Sequence, residues 1–321
     1  MTPAADEVVA VIEEHITDYV SWAPEHPDVT EAGAMTKALL AASIQGADVE
    51  SFGGWDLEAE VRSMMQTTGP NAGRFSDDNH VFGTDASNGF SQALGILALA
   101  RTPDGVPADA VDFLLAQQCP GGGFRVAYPS SGPCLSAAES ETDATAIALQ
   151  ALLVVERTPV VTAAISTSAA WLIAKQDKAT GGYRVGEEGS YLPGLNTNSA
   201  GLAAQALRAI GQVSAPNKAA AWIASLQPRS TTAGLPSREL GAIAYNKGAL
   251  DEAVTNGIAD YLRDQWRRAT IHALVAFGLP PFGSIGTGTP VLPVTPIGPG
   301  HFSDVSPNHP FSTGITWVVA S

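Results

Sequence analysis

The stretch ETDATAIALQALL (141–153) has a relative on either side of it, GTDASNGFSQALGIL (83–97) and NTNSAGLAAQALRAI (196–210). In each copy a threonine (Thr84, Thr142 or Thr197) is followed by Asp or Asn, and a glutamine eight residues after the threonine precedes Ala-Leu. Weaker copies end in Ala38-Leu39 and Ala273-Leu274, which extends the series to a repeat of about 55 residues. A repeat of this length holds two helices and their connections, so the pattern predicts a helical repeat protein.

Two kinds of helix alternate in this repeat. The Thr-Asp helices are apolar nearly all round, which indicates burial on every side, whereas the others are amphipathic and precede glycine turns. Six pairs of inner and outer helices predict an all-α fold, an α/α toroid or α6/α6 barrel, with an open solenoid as the alternative. The predicted inner helices are near 29–43, 84–101, 142–156, 197–212, 237–248 and 265–278; the outer helices are near 5–20, 55–66, 107–118, 161–176, 216–227 and 250–263.

A helix that ends on glutamine, followed by Gly-Gly-Phe, Thr-Asp and an Ala-rich helix, resembles the prenyltransferase/squalene-oxidase repeat. The residues that carry the resemblance are Phe113-Leu114, Gln117, Gly122-Gly123-Phe124 and Thr142-Asp143, then Trp171-Leu172, Gln176, Gly181-Gly182-Tyr183 and Thr197-Asn198. This resemblance implies the α/α toroid of terpenoid cyclases and protein prenyltransferases over residues 1–283. It does not imply an activity, because the Asp-x-Asp-Asp motif of the cyclases and the Gly-Cys-Gly-Glu-Gln thioester of complement-type toroids are absent.

Charge and cysteine content restrict the location and the partners. The net charge of −15 makes a nucleic-acid partner unexpected, because such binding starts from a basic face. No apolar run is long enough for a transmembrane segment. Cys119 and Cys134 flank a loop rich in Gly, Pro and Ser, which predicts a disulfide and an oxidising compartment. Two reduced cysteines in a cytosolic protein are the alternative.

The C-terminal part differs in composition from the helical repeats. Residues 284–300 (SIGTGTPVLPVTPIGPG) are uncharged and typical of a linker. Residues 301–321 resemble the opening of an S-layer homology module, through Phe302, Asp304-Val305, His309-Pro310-Phe311, Ile315 and Trp317. The resemblance implies a secreted protein at the cell wall or cell surface that binds a wall polymer once the module is complete. The alternative is a C-terminal segment that docks onto the barrel.

The starts of the inner helices are the predicted site, because a closed barrel gathers them at one mouth. Asp85, Asp143 and Asp264 are the candidate catalytic residues, since carboxylates in one concavity shift each other's pKa and can act as acid and base. The candidate ligand-binding residues at this mouth are Asn88, Glu141, Thr142, Asn198, Arg267 and Arg268. The alternative is that each threonine is an N-cap and each Asp only faces the helix dipole. His272 is expected to be buried in the barrel.

The motifs of known catalytic sites are absent from the sequence. It contains no Gly-x-Ser-x-Gly, His-Glu-x-x-His, phosphate loop or dinucleotide fingerprint, and SDDNHVFGTD (76–85) does not match a calcium loop. We therefore expect no cofactor and no metal. The predicted function is a non-catalytic binding or display module with a hydrophobic or glycan ligand in the barrel. The alternative is a toroid enzyme that acts on a polyprenyl, terpenoid or polysaccharide substrate through the carboxylates at the mouth.

Overall fold

The computed structural model describes residues 3–128, 132–186, 194–228 and 239–287, and within these ranges the chain is mostly helical. Most of the predicted linker, from residue 288, and the S-layer-like segment 301–321 lie outside the described residues. The helices are α1 Pro3–Glu14, α2 Ile16–Val20, α3 Ala32–Gln45, α4 Leu57–Ser63, α5 Gly89–Leu99, α6 Ala108–Ala116, α7 Thr142–Leu152, α8 Pro159–Lys175, α9 Thr197–Ala209, α10 Ser214–Ser225, α11 Lys247–Asn256 and α12 Arg263–Leu274. Three short antiparallel pairs join β1 Ser21–Trp22 to β2 His26–Thr30, β3 Phe124–Arg125 to β4 Ser140–Glu141, and β5 Tyr183–Arg184 to β6 Leu195–Asn196.

The predicted all-α class is confirmed, and each predicted outer range contains a helix, as do five of the inner ranges. The predicted inner helix at 237–248 is wrong over its described part. Residues 239–246 form a turn, with Gly241 at a φ of 93°, and α11 begins only at Lys247. Gln227 Nε2 donates to the Gly241 carbonyl oxygen at 2.8 Å, and glutamines make the same contact with Gly122 and Gly181.

The described residues divide into two compact units. The first contains those within 3–171 together with 282–287, and the second those within 172–281. In the first unit α3 packs on α5, and α5 packs on α7. Gly33 faces Ser91, and Thr36 faces Gly95 one turn further along both helices, so α3 and α5 run parallel. Parallel neighbours bring the starts of these helices to the same end of the unit.

Burial separates the Thr-Asp helices into two groups. In α7 ten of eleven residues are buried, and in α5 nine of eleven, as expected for helices enclosed on every side. In the second unit ten of the thirteen residues of α9 are buried. In α12 only Trp266, Ala269 and Ala273 are buried. The last copy of the repeat is therefore a surface helix, which the weak sequence match did not reveal.

The glycine turns lie against the backbone of the helix that follows each of them. Gly122 has a φ of 102°, and a Cβ on it would lie 2.5 Å from the Thr167 carbonyl oxygen in α8. Gly181 has a φ of 88°, and its Cβ would lie 2.6 Å from the Lys218 carbonyl oxygen in α10. Because L-residues rarely adopt such φ values and no space is left, only glycine fits these positions.

A glutamine side chain stabilises each of these turns. Gln118 Nε2 donates hydrogen bonds to the carbonyl oxygens of Gly122 at 3.1 Å and Ala164 at 3.0 Å. In the second unit Gln176 Nε2 donates to the carbonyl of Gly181 at 2.9 Å and to that of Ala215 in α10 at 2.8 Å. Gln118 and Gln176 therefore join their glycine turns to the helices that follow, α8 and α10.

A segment after α12 covers the C-terminal ends of the central helices in the first unit. The Phe282 N–H donates to Gln150 Oε1 of α7 at 2.9 Å, and Gly283 lies against Val154. Arg101, just after α5, donates through Nη2 to the Ile285 carbonyl oxygen at 2.7 Å. Residues 282–287 are therefore attached to the helices, although the sequence predicted a linker from residue 284.

Candidate functional site

The caps of α5, α7 and α9 differ from the predicted threonine caps. Asn88 is the N-cap of α5, and its Oδ1 accepts the Phe90 N–H at 2.9 Å. Asn196 is the N-cap of α9. Thr142 and Thr197 are the first residues inside their helices, so the prediction that threonine is the N-cap is wrong.

The first copy of the repeat also begins later than predicted. Thr84 and Asp85 lie in the loop before α5, which begins at Gly89, whereas Thr142 and Thr197 begin α7 and α9. Treating Thr84 as the equivalent of Thr142 and Thr197 therefore predicts the start of α5 five residues too early. Asp85 is consequently not in the first turn of a helix.

Asp85 instead pairs with a buried arginine. Its Oδ2 lies 2.9 Å from Arg74 Nη2, and the side chain of Arg74 is only 5% exposed. Asp85 Oδ1 accepts the backbone N–H groups of Asp77 and Ser87, at 3.2 and 3.0 Å. Arg74 also donates through Nε to Ser87 Oγ. Both oxygens of the first candidate acid are thus used in fixing the loop before α5.

Asp77 acts on the start of α3 from outside that helix. Its Oδ1 accepts the Ala32 N–H at 2.8 Å, and its Oδ2 accepts the Ala86 N–H at 2.8 Å. Burial raises the pKa of Asp77, and the nearby charges of Asp85 and Glu31 add to this, although the two hydrogen bonds oppose it. Sequence reasoning could not find this role, because 45 residues separate Asp77 from Ala32.

Glu141, Thr142 and Asp143 lie together at the start of α7, as predicted for neighbours in sequence. Glu141 pairs with Phe124 across β3–β4 and occupies the N-cap position, although its carboxylate does not cap the helix. Burial raises the pKa of Glu141, and the charge of Asp143 raises it further. Thr142 is buried, and Asp143 is partly buried in the first turn of α7.

A short extended segment after β3 links the starts of α5 and α7. The Gly89 N–H donates to the Val126 carbonyl oxygen at 2.8 Å, and Asn88 forms an isolated bridge with Ala127. Since β3 pairs with β4, which leads directly into α7, this segment connects the site around Asn88 to that around Glu141. The first unit thus places these candidate residues at neighbouring helix starts.

A partly buried tyrosine that the sequence did not single out lies beside these residues. The Tyr128 ring contacts Phe113 edge-on at 5.2 Å, and Arg74 Cζ lies 5.3 Å from its centroid. The Tyr128 hydroxyl is buried and has no hydrogen-bond partner among the described residues. Burial raises the pKa of Tyr128, against the opposing charges of Arg74 and Arg125, so the phenol is neutral at pH 7.

The candidate residues of the second unit are either partly buried on α9 or exposed on α12. Asn198 is the second residue of α9 and is partly buried. Asp264 and Arg268 form an ion pair at 2.7 Å on α12, with side chains 64% and 66% exposed. Arg267 is also exposed, and so is His272, contrary to the expected burial. These α12 residues therefore lie on an outer surface of the second unit.

The predicted disulfide between Cys119 and Cys134 is confirmed, with an S–S distance of 2.02 Å. It closes the loop between α6 and β4, and the Cys134 N–H also donates to the Ala116 carbonyl oxygen at 2.9 Å. Trp171 and Trp222 lie against Gly123 and Gly182 and are half-buried.

Two further features of the described residues, possible metal ligands and a surface cavity, do not involve the candidate residues. Within the described ranges, no three His, Cys, Asp or Glu side chains are grouped so that they could hold a metal ion. A cavity of about 310 Å³ is lined by α4 and the loop after α5, including Glu50, Asp56, Glu58, Arg62 and Asp104, and by none of the candidate residues. In the described part of the chain, no helix combines the length and the apolar character needed to cross a membrane.

No protein-family model matches this chain, and no curated protein matches it. The resemblances to the prenyltransferase/squalene-oxidase repeat and to the S-layer homology module therefore stay predictions from the sequence.

Proposed function

We propose that this protein is a non-catalytic binding or display module, secreted and associated with the cell wall. The observation that carries the proposal is the use of Asp85. A catalytic acid or base must be able to reach substrate, whereas both oxygens of Asp85 are occupied by Arg74 and by backbone N–H groups. Asp264 is paired with Arg268 on an exposed helix instead of lying in a cleft.

The scaffold that we propose for this module is an α/α toroid. Support comes from alternating buried and amphipathic helices, from the parallel packing of α3 and α5, and from the recurring Gln–Gly contacts at the turns. Each of these is expected when one pair of helices is repeated around an axis. A hydrophobic or glycan ligand would bind at the starts of the inner helices.

The proposed location is the cell surface. The Cys119–Cys134 disulfide is compatible with an oxidising compartment outside the cytosol. The S-layer-like segment 301–321 would contact a wall polymer once its module is complete. The proposed partner at this end of the chain is therefore a cell-wall polymer.

A toroid enzyme for a polyprenyl or polysaccharide substrate is the second candidate, and one observation favours it. Burial raises the pKa of Glu141, and the neighbouring carboxylate of Asp143 adds to this. A carboxyl group that keeps its proton to a higher pH is suited to act as a general acid. A second carboxylate beside it could act as the base.

Native mass spectrometry with product analysis separates the two candidates. The full chain is incubated with polyprenyl diphosphates and with wall-glycan fragments, and the masses of both bound and released species are measured. A binding module retains a ligand of unchanged mass and releases no product. A product whose formation is lost in Glu141→Gln and kept in the exposed-site control Asp264→Asn would instead establish the enzyme.

A further inference from the structure

The β1–β2 hairpin and the loop 76–85 form an exposed group of rings in the first unit. Trp22 and Phe82 have ring centroids 4.7 Å apart, and His26 meets Phe82 edge-on at 5.5 Å. Trp22 is 38% exposed, Val81 42% and Phe82 50%. We call Trp22, His26, Val81 and Phe82 the aromatic surface. Contiguous apolar side chains at a surface mark interaction sites, unlike single exposed ones.

Hydrogen bonds hold the loop in the form that presents Phe82. Thr30 and Asp78 exchange two backbone hydrogen bonds, at 3.0 and 3.1 Å, which join the loop to β2. Asn79 Oδ1 accepts the Phe82 N–H at 3.0 Å, and its Nδ2 donates to Thr84 Oγ1 at 3.0 Å. The aromatic surface is therefore preorganised, and a partner that binds it has little loop motion to restrict.

The charge around the aromatic surface is acidic. Residues 20–31 and 76–84 contain no lysine or arginine, and their acids are Glu25, Asp28, Glu31, Asp77 and Asp78. Asp28 and Asp78 are 65% and 68% exposed, and they lie on either side of His80 at 3.0 and 3.5 Å. Trp22 Nε1 donates to Glu31 Oε1 at 2.8 Å, so a carboxylate also fixes the indole ring.

We propose that the aromatic surface binds a basic segment of a partner protein. An arginine or lysine of that segment lies on the exposed rings of Trp22 and Phe82 and pairs with Asp28 and Asp78. Cations are attracted to the faces of aromatic rings, and complementary charge favours the encounter and the correct orientation. An acidic protein or an anionic lipid surface would be repelled.

This inference goes beyond the proposed function and does not depend on it. It needs only the local structure of the hairpin and the loop, whether or not the inner helices close a toroid. It also gives a role to the acidic loop 76–85, whose sequence matches no calcium site. If the binding or display function fails its own test, the aromatic surface stands or falls separately.

The test uses the full ¹⁵N-labelled chain and two matched peptides. The probe is Gly-Arg-Gly-Arg-Gly-Arg-Gly, and the control peptide has citrulline in place of each arginine, which keeps the shape and removes the charge. The readout is the NMR signal of the Trp22 indole N–H, assigned with Trp22→Phe. We expect saturable movement of this signal with the arginine peptide, and at least about fivefold weaker binding of the citrulline peptide.

Variants then locate the binding. Phe82→Ser, and the double variant Asp28→Asn with Asp78→Asn, should each weaken binding at least about fivefold. The matched control is Asp109→Asn with Asp112→Asn, which removes two exposed carboxylates from α6 in the same unit. It should leave the affinity within about twofold, since weak long-range attraction is screened at physiological salt. The amide spectrum of each variant reports whether it is folded.

Three results would overturn the proposal. The first is that the Trp22 signal does not move with the arginine peptide. This includes the case in which a neutral oligosaccharide moves the signal and the peptide does not. The second is equal binding of the citrulline peptide, because a charge-independent contact is not the one proposed. The third is an equal loss in the α6 control, since the net charge of −15 would then attract the peptide without a defined site.

Discussion

At the scale of the residue, two neighbouring glycines show what the glycine turns require. Gly121 and Gly122 both have positive φ values, 98° and 102°. Only Gly122 touches another helix, since its Cβ would lie 2.5 Å from the Thr167 carbonyl oxygen, whereas the nearest atom to a Cβ on Gly121 is 4.0 Å away on Trp171. Close packing therefore adds to the backbone requirement at Gly122 alone.

Substitution by alanine should separate these two causes. Gly121→Ala is expected to lower the free energy of unfolding by about 1–2 kcal/mol, because alanine is strained at positive φ. Gly122→Ala should cost about 1–3 kcal/mol more, because α8 must also move away. Urea unfolding of both variants measures the difference. Equal losses would mean that the contact with α8 relaxes without cost.

The candidate site shows how far residue patterns reach. The sequence correctly places the start of a helix at Glu141, Thr142 and Asp143, although the N-cap is Glu141 and not the predicted Thr142. It does not reveal that Asp85 binds Arg74 or that Asp77 binds the start of α3, since both contacts depend on how the loop 76–88 folds. Nor does the pattern identify Tyr128, whose ring contacts are with Phe113 and Arg74 in other segments of the chain.

At the scale of the element, the glutamine that recurs eight residues after each threonine has different hydrogen-bond partners in α5 and α7. In α7 Gln150 Oε1 accepts the Phe282 N–H of the covering segment at 2.9 Å. In α5 Gln92 lies one turn after the helix start, and its Oε1 accepts the Phe75 N–H at 3.1 Å. The two residues look equivalent in sequence, but the five-residue offset of α5 gives them different partners.

Hydrogen exchange should detect this difference. Gln150→Leu is expected to remove the protection of the Phe282 amide and to leave that of Phe75, whereas Gln92→Leu should do the reverse. Each variant leaves one backbone N–H without its partner, which costs about 1–3 kcal/mol if the site stays dry. Gln92→Leu should cost more in total, because it also removes the Nε2 donor to the carbonyl oxygens of Gly73 and Ala110. The two leucine variants are controls for each other. Loss of protection at both amides in either variant would show that the effect is global unfolding.

At the scale of the whole molecule, the toroid is the proposal that most needs a test. A compact chain of 321 residues should have a radius of gyration of about 20 Å. We therefore expect small-angle X-ray scattering of the full chain to give a value near this and a pair-distance distribution with a single, nearly symmetric maximum. Measurement at several protein concentrations controls for association. A clearly larger radius with an elongated distribution would favour the open solenoid.

The sequence by itself determined the helical class, most of the helix positions and the disulfide, because hydrophobic periodicity, glycine turns and loop closure are local properties of the chain. Only the tertiary structure decided that 239–246 is a turn, that α12 lies at the surface, and that Asp85 serves Arg74. The aromatic surface also appears only there, since Trp22 and Phe82 are 60 residues apart. The aromatic surface depends on a contact between segments that are distant in sequence, and the Asp85–Arg74 pair depends on how the loop between these two residues folds. Neither arrangement is encoded by a local pattern of residue types, because both are set by the path of a loop.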